Sequence, residues 1–156
     1  KSIGNGATFK RDLMNFGDVR TCVFFLCDKV AARLRKHNYE CSALQVGIKD
    51  RNFQTIQRSR QLSSPTDLAY DLRNAALSLI EANVDVEKEP IRSITVTGTK
   101  LLNSDDVCEQ ISFLDLDYHI KREKEHRLEC TKDNIRHKYG LGTITRCSFI
   151  DNDFGF

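Results

Sequence analysis

No run of apolar residues in this 156-residue chain approaches the ~20 that a membrane-spanning helix needs. Nothing in it resembles a secretory leader either. Cysteine occurs at Cys22, Cys27, Cys41, Cys108, Cys130 and Cys147, but never as Cys-x-x-Cys. Irregular spacing without a leader points to reduced thiols in a cytoplasmic protein rather than to a disulfide framework. Several chemistries lack their motifs. There is no G-x-x-x-x-G-K phosphate loop, no Ser-x-Asp-Glu, and no nucleophile–His–acid arrangement. Two-metal chemistry needs carboxylates clustered around ions about 4 Å apart. The candidates, Asp115-x-Asp117 and Asp151-x-Asp153, read as a helix cap and a solvated tail. This stretch is therefore expected not to catalyse a reaction. It also opens without Met and inside a motif, as expected of a piece of a longer protein.

What is there is a globular composition, 40% hydrophobic and 29% charged. The net charge of +2 conceals a gradient: +7 over residues 1–60, −5 over 61–109 and zero over 110–156. A basic first block beside an acidic second one implies a polarised domain with one face suited to a polyanion.

In residues 1–12, Ile3, Ala7 and Phe9 alternate as one face of a strand. The other face carries the small residues Ser2, Gly4, Gly6 and Thr8, which let a ligand approach backbone N–H groups. Lys1, Lys10 and Arg11 bracket them with positive charge. Asn15 or Asp18 caps a helix to about Lys36, with the stripe Val19, Cys22, Val23, Leu26, Val30 and Leu34. Asn38 is placed to stop it in a left-handed conformation.

Leu44, Val46 and Ile48 then alternate with Gln45, Gly47 and Lys49 as a one-sided strand, and Asp50-Arg51-Asn52 turns the chain. The returning strand is expected over 53–62. Phe53 and Ile56 cannot share a face of a regular strand, so a bulge is expected between them. Arg58 and Arg60 should project together. Ser64-Pro65 is expected to open a second helix, with Asp67 in its first turn and the stripe Leu68, Leu72, Ala75, Ala76 and Leu79. In Ile91–Leu101, Ile94 and Val96 face one way, and the hydroxyls of Ser93, Thr95, Thr97 and Thr99 face the other.

The fold class that follows is α+β. A four-stranded sheet carries two helices on one face, in the order strand-helix-strand-strand-helix-strand, with a C-terminal helical extension. The open face offers Gly, Ser, Thr, Gln and Arg. RNA-binding sheets of this shape stack bases on exposed aromatics. Their absence here favours contact with a duplex backbone over single strands.

Several motifs add a resemblance. Lys-Ser-Ile-Gly-Asn-x-x-Thr-Phe-x-Arg-Asp over residues 1–12 resembles the entry to the C-terminal DNA-gripping domain, or little finger, of bacterial Y-family translesion DNA polymerases. Ala31-Ala32-Arg33-Leu34-Arg35, the set Phe53, Thr55, Arg58 and Ser59, and Pro90-Ile91-Arg92 fall in the family's order, covering residues 1–102. The resemblance implies binding of primer–template duplex in its major groove during damage bypass and DNA repair. By position it implies DNA contacts at Ser2, Gly4, Asn5, Thr8, Arg58, Arg60, Arg92, Ser93, Thr95 and Thr97. It implies no cofactor for this stretch, and magnesium for the catalytic part of the parent polymerase.

Residues 103–117 read as a linker, and 118–156 as a helix and tail. Within the linker, Gln110-Ile111-Ser112-Phe113-Leu114 resembles the short motif by which bacterial polymerases dock on the sliding clamp. A Gln binds backbone there, and apolar anchors enter a pocket. The usual final pair, Leu-Phe, is reversed. A protein-interaction module for the clamp is thus the alternative to a DNA-binding domain. The helix His119–Tyr139, ended by Gly140, shows a sparse apolar stripe of Leu128, Ile135 and Tyr139. The extension resembles that of UmuC-like and DinB-like members. His119, His126, Cys130 and His137 share the opposite helix face. Only His126 and Cys130 are close enough to share an ion, and two ligands make a poor metal site.

Overall fold

Asn15 starts the first helix. In a computed structural model, which describes residues 1–107, 116–150 and 153–155, its side chain accepts a hydrogen bond from the Asp18 N–H at 2.9 Å. The helix that follows, α1 (Phe16–Lys36), comes after strand β1 (Ser2–Leu13). Val19, Cys22, Val23, Leu26, Cys27, Val30, Ala31 and Leu34 of α1 are all fully buried, so the sequence stripe is the packing face. Asn38 is left-handed (φ 56°), as its position after the helix implies. Its side chain also binds Asn103 and Asp105, tying the end of α1 to the exit from the sheet.

Strands β2 (Tyr39–Asp50) and β3 (Thr55–Thr66), helix α2 (Ala69–Asn83) and strand β4 (Ile91–Asn103) complete the expected order. The four strands form one antiparallel sheet in the spatial order β1-β4-β2-β3. Both helices cover one face. Leu44, Val46, Ile48, Ile94 and Val96 point into the core they share with Leu72, Ala76 and Ile80 of α2.

Two local expectations change. Phe53 lies outside β3, in the turn, with a left-handed φ of 64°. Thr55 to Gln61 therefore pair regularly with Lys49 to Ala43, and the bulge falls further on, between Cys41 and Ala43. Ser64 and Pro65 belong to β3 and do not open α2. β3 is an edge strand, where a missing N–H is tolerated. Leu68 is the N-cap and offers no side-chain cap; the Thr66 hydroxyl ties the strand end to the helix, accepting from the Leu68 N–H at 3.1 Å and donating to Asp71 at 2.6 Å. Asp67 precedes the helix and is buried, and Asp71 is the acid of its first turn.

The extension begins with α3 (Leu116–Tyr139), closed by left-handed Gly140 (φ 102°). Its expected apolar stripe does not dock it, since Leu128 is 54% and Tyr139 65% exposed. Charges hold it instead. Arg35, at the end of α1, donates to Asp133 at 2.6 Å, Glu129 at 3.1 Å and the Asp67 carbonyl at 2.7 Å. Arg122 donates to Ser64 at 2.9 Å, and His126 meets Asp67 at 3.1 Å. The tail then returns along α1. Arg146 approaches Asp28, which pairs with Arg73, and the Phe149 ring meets Phe25 edge-on. At the outer edge of β1, Phe154 packs on Phe9, and its carbonyl accepts from the Lys10 N–H at 3.1 Å.

Cys22, Cys27 and Cys41 are free thiols in the core, and burial pushes those of Cys22 and Cys41 up to about 12. Among the described residues no helix is long and apolar enough to cross a membrane.

Candidate nucleic-acid interface

The strand register assigns every side chain to a face, because successive residues alternate. On the face away from the helices, aligned residues form four rows across β1, β4, β2 and β3. Ser2, Thr99, Ala43 and Gln61 make the first, and Gly4, Thr97, Gln45 and Ser59 the second. Gly6, Thr95, Gly47 and Gln57 make the third, and Thr8, Ser93, Lys49 and Thr55 the fourth. No carboxylate and no aromatic ring occurs in any row. Hydroxyls, amides and a lysine cover a surface one residue deep, and any of them can donate to a phosphate oxygen.

Of the positions expected at DNA, the register brings Ser2, Gly4, Thr8, Ser93, Thr95 and Thr97 together on this face. The two glycines are not open backbone. A Cβ at Gly4 would stand 2.6 Å from the Thr97 hydroxyl, and one at Gly6 would stand 2.5 Å from that of Thr95. The glycines make room for threonines leaning over from β4, so the surface presented there is hydroxyl rather than bare amide.

Asn5, Arg58 and Arg60 fall on the other face. Asn5 is opposite Val96, Arg58 opposite Val46, and Arg60 opposite Leu44, all inward-facing positions. The arginines do project together, but toward α2. Arg58 donates to Asn83 at 2.9 Å, and Arg60 to Ser78 at 3.1 Å. The face of β3 is set by its neighbour β2, whose Val46 and Ile48 must point into the core. Arg92 is an extra residue in β4 opposite the step from Lys49 to Asp50, and its guanidinium lies 5.1 Å from the Phe53 ring centre. Arg11, expected to bracket β1 for phosphate, is held by Asp18 at 2.7 Å and Asp153 at 2.5 Å. These carboxylates raise its pKa further above the usual arginine range.

Two cations of the open face were not singled out from sequence. Lys49 stands in the fourth row, and its alternation with Val46 and Ile48 was legible. Lys100 is left-handed (φ 51°) and donates to Gln61 of the first row at 2.8 Å. Nothing in the sequence marks that reversal. The clamp-like residues Gln110, Ile111, Ser112, Phe113 and Leu114 lie outside the described residues. His126 and Cys130 are adjacent (3.7 Å), and no group of three or more metal-ligating side chains occurs among the described residues.

Residues 1–113 match the family model described as the impB/mucB/samB family C-terminal domain. The chain belongs to that family. Relatives extend the similarity through the tail. A DNA polymerase IV of Acetivibrio thermocellus is 35% identical over 94% of this chain, and covers 36% of its own length in doing so. The putative UV-damage repair protein UvrX of Bacillus subtilis is 30% identical over 93% of the chain and is matched over 34% of its length. The chain therefore spans about a third of the length of these relatives. A solved structure described as a complex of the beta-clamp processivity factor and the little finger domain of PolIV shares the fold. Its TM-score is 0.55 at 16% identity, over 72% of this chain and 98% of that one. The little finger expected from the sequence motifs is thus the family matched, over residues 1–113, and the fold found.

Proposed function

We propose that this little finger domain grips primer–template duplex through the phosphate backbone, as part of a translesion DNA polymerase acting in damage bypass. The observation that carries the reading is the carboxylate-free polar face of the sheet, with Lys49 and Lys100 among its hydroxyls and amides. Such a face accepts phosphates without reading bases, which suits a domain that must hold any sequence. The names of the relatives support the parent activity, a DNA-directed DNA polymerase. Its catalytic carboxylates and magnesium would lie in the catalytic part, outside these residues. A cytoplasmic, nucleoid-associated protein is the corresponding location.

Within the same proposal, Ser2, Gly4, Thr8, Ser93, Thr95 and Thr97 contact backbone directly. Arg92 lies at the hairpin end of the face. Asn5, Arg58 and Arg60 are not direct contacts of the open face, because they stand on its helix side. Fluorescence anisotropy with a labelled duplex, at two salt concentrations and beside a matched single strand, tests this. Affinity for duplex should be independent of sequence and fall steeply with salt. Stronger binding of the single strand would remove the duplex reading.

A second reading has its own support. The structural neighbour is described in complex with a beta-clamp, and Gln110 to Leu114 carry a clamp-like motif. We infer that this segment docks on the bacterial sliding clamp. Gln110→Ala with Phe113→Ala should abolish capture by immobilised clamp and leave duplex affinity unchanged. Persistent capture would show that the motif is not the contact.

A further inference from the structure

Phe53 is the least expected residue of the β2–β3 hairpin. Asp50 closes the turn: its carbonyl accepts from the Phe53 N–H at 3.2 Å, and its carboxylate accepts from the Gln54 N–H at 2.8 Å. The turn places Phe53 at φ 64°, a region suited to Gly or Asn and costly for a bulky side chain. Burial does not compensate, since the residue is 65% exposed. Strain combined with exposure indicates that the ring serves something outside the domain.

Its surroundings define what that is. The Arg92 guanidinium lies over the ring, 5.1 Å from its centre. Lys49 ends the polar face in the adjoining row, and Arg51 is exposed in the turn itself. An exposed aromatic ring under a guanidinium, in a hairpin end that also carries Lys49 and exposed Arg51, matches a flat π-system joined to a phosphate. The ring stands at the rim of the proposed duplex face, not within it. We infer that Phe53 and Arg92 form a stacking platform for an unpaired DNA base beside the gripped duplex. This rests on the duplex reading above and adds a separate site to it.

The chain contains no tryptophan, so Phe53→Trp supplies a single reporter at the platform. Three DNAs are compared: a blunt duplex, the same duplex with an unpaired thymidine overhang, and one with an abasic overhang. The thymidine overhang should quench the Trp emission, and the other two should not. Phe53→Ala should weaken binding of the thymidine-overhang DNA by about tenfold and leave the blunt duplex unchanged. Phe53→Gly, which fits a left-handed φ, should show the same loss with no fall in melting temperature. Retention of overhang preference in the Gly variant, or equal quenching by the abasic DNA, would overturn the platform. Tight duplex binding without any overhang effect would overturn it and leave the duplex reading standing. Failure of the native domain to bind any DNA at low salt would overturn both.

Discussion

Replacing Arg35 by alanine should release the C-terminal helix α3 from the sheet domain. Its side chain is 6% exposed, and the guanidinium binds Asp133, Glu129 and the Asp67 carbonyl at once. Burial works to lower its pKa, but Asp133, Glu129 and Asp67 outweigh burial and hold it above the usual value. Removing the cation leaves Glu129 buried against Lys132 alone, with Asp133 unpaired. Breaking a buried pair from one side costs about 3–5 kcal/mol. Leu128 and Tyr139 face solvent, so what remains to hold α3 is Arg122 on Ser64 and His126 on Asp67, both nearer its N-terminus. Hydrogen exchange should therefore accelerate across residues 116–139 while amides of the sheet stay protected. Arg35→Lys should restore only part of the protection, because an ammonium cannot reproduce a planar fork of donors. Unchanged exchange in α3 after Arg35→Ala would show that another contact fixes the extension.

The second large effect concerns DNA. Lys49→Ala with Lys100→Ala should weaken duplex binding on the order of tenfold at low salt. It should also make the salt slope shallower by about 1.8, the share of two phosphate contacts. Arg58→Ala with Arg60→Ala should do less, because those side chains reach Asn83 and Ser78 on the helix side. Anisotropy titrations at several salt concentrations rank the pairs. A larger loss from the arginine pair would mean that duplex is held at the β3 edge rather than on the open face.

These two cases also show where sequence reading succeeds and fails. The helix α1 was legible because its cap and its apolar stripe agree, and both survive in the fold. The open face of β1, β2 and β4 was legible because each strand has its own alternation. The strand β3 has none, and its parity comes from pairing with β2, so Arg58 and Arg60 could not be assigned a face in isolation. Pro65 misled for a related reason. Pro suits a helix start and an edge strand alike, and only the pairing of Thr66 with Cys41 decides between them. The docking of α3 left no apolar signature at all. Its docking face is built of Arg122, His126, Glu129 and Asp133, which in sequence look like a solvated helix. Lys100 and Phe53 depend on left-handed backbone, which their residue types do not announce.

We propose that duplex lies on the sheet face away from α1 and α2. A titration of the labelled domain with blunt duplex, followed by backbone amide shifts, tests it residue by residue. The largest changes are expected at Gly4, Gly6, Gln45, Gly47, Thr95 and Thr97, with the exposed faces of α1 and α2 unmoved. Shifts concentrated on α2 and the outer edge of β3, with those six amides silent, would contradict it.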